Sequence, residues 1–296
     1  MNEIPVINEH VTMSERISAS HKGNYGRIGI VAGSRGMAGA GELCTKACLR
    51  SGAGLVTIAC ADCLTEVYEI KLTEAMVSPQ KDCEGHLSRE CIGELISFAA
   101  SKDCLVFGPG IGRSIDIEDI LISILEQYSG MLVIDADGLF ALAHCKDRLQ
   151  NAACQVLITP HIVEMSRLAG GSAEDIKADP VKYASRFALQ YGVNVLLKDN
   201  VSAIASPDGR VMLNRTGNPG MARGGSGDVL AGVCGALSCR CSDLFDTACE
   251  AALVCGIAGD MAAEAYGMDG MLPSDTIMFL GRALKEPVSG HIRETE

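Results

Sequence analysis

Asn218-Pro219-Gly220-Met221-Ala222-Arg223-Gly224-Gly225-Ser226-Gly227-Asp228-Val229-Leu230 runs through a glycine-rich loop into a helix, with a single acid at the junction. Val229, Leu230, Val233 and Leu237 recur at helical spacing, which predicts a helix beginning near Ser226 or Gly227. Glycines leave backbone N–H groups bare, and a helix N-terminus adds partial positive charge, so the loop suits phosphoryl oxygens. A carboxylate beside such a cradle can take the proton of a hydroxyl that attacks phosphorus, which makes Asp228 a candidate general base. The same residues also suit a plain turn and helix cap.

Outward from this loop, apolar β-branched runs alternate with helical patterns. Arg27 to Ala32, Leu55 to Ala59, Leu105 to Phe107, Met131 to Ile134, Val156 to Ile158 and Val195 to Leu197 read as strands. Ala40 to Arg50, Ile117 to Leu125 and Val181 to Gln190 read as helices between them. This alternation predicts an α/β fold with a mainly parallel central sheet and helices on both faces. Ser202 to Ala205, Ser206-Pro207-Asp208-Gly209 and Val211 to Leu213 read as a β-hairpin. The first twenty residues and the tail after Glu286 lack periodicity and are expected at the periphery of one domain spanning 1–296.

A chain of 296 residues with 48% hydrophobic content supports a large core. Its formal charge of −12 argues against nucleic acid or an anionic membrane as partner, so a phosphate site must be local. The apolar stretch from Leu244 to Ala265 carries Asp246, Glu250, Asp260 and Glu264, which excludes a spanning helix there. With no apolar leader, the expected location is the cytoplasm. Fourteen cysteines scattered through apolar segments read as small buried hydrophobes in a reducing compartment. Cys60-x-x-Cys63 and Cys239-x-Cys241 lack a matching pair or histidine at zinc-site spacing.

Ligands in such sheets bind beyond the carboxyl ends of the strands. That rule marks Gly33-Ser34-Arg35-Gly36, Gly108-Pro109-Gly110-Ile111-Gly112, Asp135-Ala136-Asp137, Thr159-Pro160-His161 and Lys198-Asp199-Asn200. His161 and Glu164 share a face on a first helical turn and suit either substrate and Mg²⁺-held water or a helix start. Asp135 and Asp137 share a side if their strand continues, to meet a ribose, a ring or metal-bound water, and a helix cap at Asp137 is equally open. Lys198 ends an apolar strand, where an ammonium meets phosphate or snorkels at an edge.

Taken together, these motifs resemble the ribokinase-like superfamily and, within it, the ADP/ATP-dependent NAD(P)H-hydrate dehydratase family. The resemblance is carried by His21 to Gly26, Gly39-Ala40, Ser51 to Val56, Gly108 to Gly112, Asp135 to Asp137, Thr159-Pro160-His161 with Glu164, Leu197-Lys198, and Asn218 through Asp228, in order over about residues 21–282. It implies dehydration of the S epimer of NADHX or NADPHX at the expense of ADP or ATP, releasing AMP or ADP and phosphate. Asp228 is then the base, and the N–H groups of Gly225, Ser226 and Gly227 neutralise the transferring phosphoryl. Ala40, Gly110 or Gly112, His161 and Asp228 are implied at the hydrate site. Lys198, Asp199, Asn200, Val201, Ser202 and Gly227 are implied at the nucleotide, with Mg²⁺ as cofactor and Glu164 reaching it through water. A homotetramer is also implied.

The chain departs from the family at Asp199, where glycine is usual, at Ser202, where threonine is usual, and at Ile162-Val163, where proline and glycine are usual. Asp199 adds negative charge near a polyphosphate, which calls for Arg223 or Mg²⁺ as compensation. The epimerase domain often fused upstream is expected to be absent, with a separate epimerase supplying the S form. Two other readings share the cradle. One is a small-molecule kinase of the superfamily acting on a thiazole or pyrimidine alcohol, and the other is a nucleotide-binding sensor without turnover.

Overall fold

The computed structural model describes residues 4–288 and 291–292. Its elements in chain order are β1 (Arg27–Val31), α1 (Ala38–Arg50), β2 (Leu55–Ala61), α2 (Thr65–Lys71), β3 (Met76–Gln80), β4 (Asp82–Cys83), β5 (His86–Leu87), α3 (Ile92–Ala99), β6 (Cys104–Phe107) and α4 (Ile115–Gln127). There follow β7 (Met131–Ile134), α5 (Asp137–Cys145), β8 (Gln155–Ile158), α6 (Ile162–Ala169), α7 (Ala173–Ala178), α8 (Pro180–Tyr191), β9 (Asn194–Leu197), β10 (Ser202–Ala205), β11 (Val211–Asn214), α9 (Ser226–Leu237), α10 (Leu244–Tyr266) and α11 (Pro273–Ala283).

Nine strands form one sheet in the order β11-β10-β9-β8-β7-β6-β1-β2-β3, parallel except at β10. All four residues of β6 are buried, as a strand covered on both faces requires. Helices α1, α9, α10 and α11 pack together as one layer, while α3, α4, α5 and α6 succeed one another in a second. The expected mainly parallel central sheet with helices on both faces is what the chain forms.

The hairpin β10–β11 turns at Pro207-Asp208-Gly209, with Ser206 N donating to Arg210 O at 3.0 Å. Two features lay outside the sequence reading. Strand β3 carries Pro79 and sits at the sheet edge, where a missing N–H is tolerated but the strand signal is weak. The two-residue strands β4 and β5 are too short for any periodicity.

The N-terminal stretch is peripheral in position yet firmly attached. Ile7 N donates to Leu213 O and Leu213 N to Pro5 O, extending the β11 edge, and Ile7 is buried. His10 Nδ1 lies 2.7 Å from Glu250 Oε1, its Nε2 lies 2.9 Å from Glu286 O, and Val11 N donates to Glu250 Oε2 at 3.0 Å. Burial works to lower the His10 pKa, but the Glu286 carbonyl and Glu250 carboxylate outweigh it and hold the imidazole above its ordinary value. Beyond Glu286, Val288 is buried and His291 Nδ1 lies 3.4 Å from Asp260 Oδ2. The rest of the proposed periphery, residues 1–3, 289–290 and 293–296, lies outside the described residues. Ten of the fourteen cysteines are buried, and all are free thiols.

Candidate active site

Three adjacent strands, β7, β8 and β9, are followed at once by Asp135, Thr159 and Lys198. Lys198 Nζ lies 2.7 Å from Asp135 Oδ1, and Thr159 Oγ1 donates to the same oxygen at 2.8 Å. Asp135 is 1% exposed, and its two partners offset the cost of burying so polar a side chain. Burial opposes the Lys198 charge, but Asp135, Glu164 and Asp228 together raise its pKa. The first turn of α9 closes over this pair. A Cβ on Gly227 would stand 3.3 Å from Lys198 Nζ and 3.5 Å from Asp135 Oδ2, so a glycine lets the helix terminus approach.

The helix begins where the loop reading placed it. Gly225, in the left-handed region at φ 103°, is its N-cap and supplies no side chain to block the terminus. Ser226 N already donates to Arg223 O at 3.2 Å. Of the three N–H groups assigned to the phosphoryl, those of Gly225 and Gly227 are therefore the bare ones among the described residues. Asp228 follows in the same turn. Its carboxyl is pushed up to about 7, first by burial and then by Asp135 and Asp137, against the pull of Lys198.

Asp135 and Asp137 do not share a side, contrary to the extended-strand expectation. The strand stops at Ile134, and Ala136 takes φ 51°, ψ −122°, while Gly138 N donates to Asp135 O at 3.0 Å. This turn sends Asp135 to Lys198, whereas Asp137 starts α5, accepting from Gly112 N at 3.1 Å and Arg113 Nε at 2.8 Å. Such a backbone for a non-glycine residue costs about 1–3 kcal/mol, a strain that concentrates at functional sites.

His161 and Glu164 form a reciprocal cap on α6. His161 Nδ1 accepts from Val163 N at 3.1 Å and Glu164 N at 3.3 Å, and Glu164 Oε2 accepts from His161 N at 2.8 Å. The helix-start reading of the pair therefore holds, and the same residues also line the cleft. With Nδ1 accepting, the imidazole hydrogen sits on Nε2, which can donate to a ligand. Burial and then Lys198 lower the His161 pKa, keeping the ring neutral, and burial raises that of Glu164. The loop after β9 orders itself. Asp199 Oδ1 accepts from Asn200 N at 2.8 Å, Asn200 Oδ1 from Val201 N at 2.8 Å, and Ser202 Oγ donates to Asp199 O at 3.3 Å.

These parts border one cleft of about 840 Å³, within the range of small-molecule sites. Asp135, His161, Glu164, Lys198, Asp199, Asn200, Ser202, Gly225, Ser226, Gly227 and Asp228 all line it, while Val201 does not. Ala40, Gly110 and Gly112 are likewise absent from its wall. Ala40 and Gly110 meet each other instead. A Cβ on Gly110 would stand 2.8 Å from the Ala40 Cβ, and Ser34 Oγ donates to Gly110 O at 2.9 Å.

The cleft wall also holds residues that sequence reasoning missed, among them Asn214, Thr216, Cys255 and Gly256. Asp260 anchors that wall, accepting from Gly217 N at 3.1 Å and Asn218 Nδ2 at 3.0 Å. Its signal was in view, since an acid inside an apolar helix needs a partner.

The model of the NAD(P)H-hydrate dehydratase family matches residues 28–281. The bifunctional NAD(P)H-hydrate repair enzyme Nnr of Moorella thermoacetica is 38% identical over 274 residues, which is 92% of this chain and 52% of that protein. The Escherichia coli protein of the same name is 33% identical over 278 residues, covering 94% of this chain and 51% of its own. The chain thus spans about half the length of the curated relatives it matches. Among solved structures, the ADP/ATP-dependent NAD(P)H-hydrate dehydratase from Bacillus subtilis, co-crystallised with ATP and Mg²⁺, superposes with a TM-score of 0.82 at 26% identity, covering 96% of this chain and 99% of that one. A hydroxyethylthiazole kinase from Pyrococcus horikoshii shares the fold, with a TM-score of 0.60 at 17% identity, over 93% of this chain and 96% of its own.

Proposed function

The chain belongs to the NAD(P)H-hydrate dehydratase family, and from that premise we propose that it dehydrates the S epimer of NADHX or NADPHX to NADH or NADPH, using ADP as phosphoryl donor. The observation that carries the reading is Asp228, a carboxyl pushed up to about 7 beside the bare N–H groups of Gly225 and Gly227. A base with that pKa holds a proton long enough to matter and releases it near neutrality.

In the proposed reaction Asp228 takes the proton of the C6 hydroxyl as the oxygen bonds to the terminal phosphorus and the bond to the donor's bridging oxygen breaks, releasing AMP. Gly225 and Gly227 N–H groups meet the charge that spreads over the transferring phosphoryl. The C6–O bond then breaks, phosphate leaves with the electron pair, and the ring nitrogen lone pair fills the gap. Loss of the C5 proton returns that pair to nitrogen and forms the C5–C6 double bond. Lys198 and the loop through Ser202 hold the nucleotide, and His161 offers Nε2–H to the hydrate. Ala40, Gly110 and Gly112 take the part of the hydrate that extends out of the cleft.

The donor set of the cleft suits Mg²⁺ carried on the nucleotide. Asp135, Glu164, Asp199 and Asp228 outnumber Lys198 and Arg223 along its wall, so a polyphosphate needs added positive charge to enter. Glu164 would hold the ion through water, and the ion would supply charge to screen the phosphate oxygens and polarise the transferring group. On the family resemblance alone, we extend the reading to a cytoplasmic homotetramer served by an epimerase activity that supplies the S form. The test is freshly prepared hydrate with Mg²⁺ and either ADP or ATP. Reduced nicotinamide absorbance together with free phosphate supports the reading, whereas a stable phosphoester contradicts it in favour of a kinase.

A further inference from the structure

We propose that Arg223 is a nucleotide-binding residue whose guanidinium takes the terminal phosphates of the donor and offsets the carboxylate of Asp199. The inference rests on the nucleotide-dependent reading above and deepens it. Arg223 lines the cleft two residues before the N-cap Gly225, and it is exposed. Its Nη2 donates to the backbone oxygen of Asp269, a neutral acceptor, and among the described residues it forms no ion pair. The other cation on the wall, Lys198, is already bound to Asp135 at 2.7 Å.

Asp135, Glu164, Asp199 and Asp228 face the same space. A polyphosphate entering it therefore meets more negative than positive charge, and the lysine is partly spent on a buried carboxylate. Arg223 is the cation left uncommitted to a carboxylate, on the loop that leads into the phosphoryl cradle. Its planar fork can leave one neutral carbonyl and grip phosphate oxygens bidentately, which a charge-matched ammonium cannot reproduce. Asp199 stands in the same cleft, with one carboxylate oxygen occupied by Asn200 N. Its negative charge and the positive charge of Arg223 then act on the same phosphates with opposite sign.

The experiment is calorimetric titration of ADP with Mg²⁺ into the full chain and into Arg223→Gln, Arg223→Lys, Asp199→Gly and the Arg223→Gln/Asp199→Gly double variant, at low and high salt. Arg223→Gln is expected to weaken ADP binding by about tenfold to a hundredfold, with the loss shrinking at high salt. Arg223→Lys recovers part of the affinity, and the loss from Arg223→Gln is smaller when Asp199 is already glycine. The Michaelis constant for the hydrate stays within about twofold. A role confined to tethering the loop at Asp269 would lower the melting temperature, weaken both ligands alike, and show neither salt dependence nor coupling to Asp199. That pattern, or unchanged ADP affinity in Arg223→Gln, overturns the proposal. If the unsubstituted chain binds no nucleotide at all, the underlying functional reading fails instead.

Discussion

At the scale of single residues, Asp228 is the proposed base and also carries a stability cost. Its folded pKa of about 7 lies above the ordinary 3.8, so between those values the folded chain binds a proton that the unfolded chain has released. Stability contributed by this group therefore falls as pH rises from about 4 to about 7 and stays lost above that. Asp228→Asn should match the parent near pH 4 and exceed it by about 2–4 kcal/mol at pH 8, read by denaturant titration. The same variant should lose at least about a hundredfold in turnover while keeping nucleotide affinity, and the parent's rate should fall on the acid side with a midpoint near 7. Near-normal turnover in Asp228→Asn would remove it as the base. Lys198→Ala is a compound change, because it strips the partner from buried Asp135. It should weaken nucleotide binding and also cost about 3–5 kcal/mol of stability, whereas Lys198→Ala with Asp135→Asn should regain the stability and not the affinity. If calorimetry finds nucleotide binding unchanged in both, the lysine serves the fold alone. Asp199→Gly should tighten nucleotide binding, since one charge contact at about 4 Å is worth up to about 4 kcal/mol before screening, and the gain should fade with salt. Weaker binding would mean that the carboxylate's bond to Asn200 N is what matters.

At the scale of elements, the sequence read best where one local pattern decides the structure. The helix opening at Ser226, the hairpin around Pro207-Asp208-Gly209 and the parallel strands all follow from glycine placement and apolar runs. The turn at Ala136 escaped, because its backbone is imposed by Asp135 reaching Lys198, a contact 63 residues away in sequence. The acids of α10 were legible only as interruptions of an apolar helix. Glu250 and Asp260 in fact anchor the N-terminal strap and the loop before the cradle. Glu250 has no side-chain exposure, so His10→Ala leaves it without its imidazole and should cost about 3–5 kcal/mol. The sign with pH is fixed by the raised His10 pKa. The charge-dependent part of the stabilisation is complete below the ordinary histidine value and is lost as pH rises through the folded one, so the gap in melting temperature between parent and His10→Ala should narrow on the alkaline side. A gap that widens with pH would refute the strap's imidazolium.

At the scale of the whole molecule, parallel strands deliver Asp135, Thr159 and Lys198 to one end of the sheet, and α9 brings its N-terminus and Asp228 onto them. Attack on phosphorus at a helix terminus, followed by expulsion of phosphate, makes one demand that no kinase or sensor shares. The hydroxyl oxygen of the substrate must end in the phosphate. The direct measurement is turnover of hydrate labelled with ¹⁸O at the C6 hydroxyl, with ADP and Mg²⁺, followed by mass analysis of the products. The ¹⁸O is expected in the released inorganic phosphate, in step with NADH formation. Label found in water, or retained on a phosphorylated hydrate that accumulates, would contradict it.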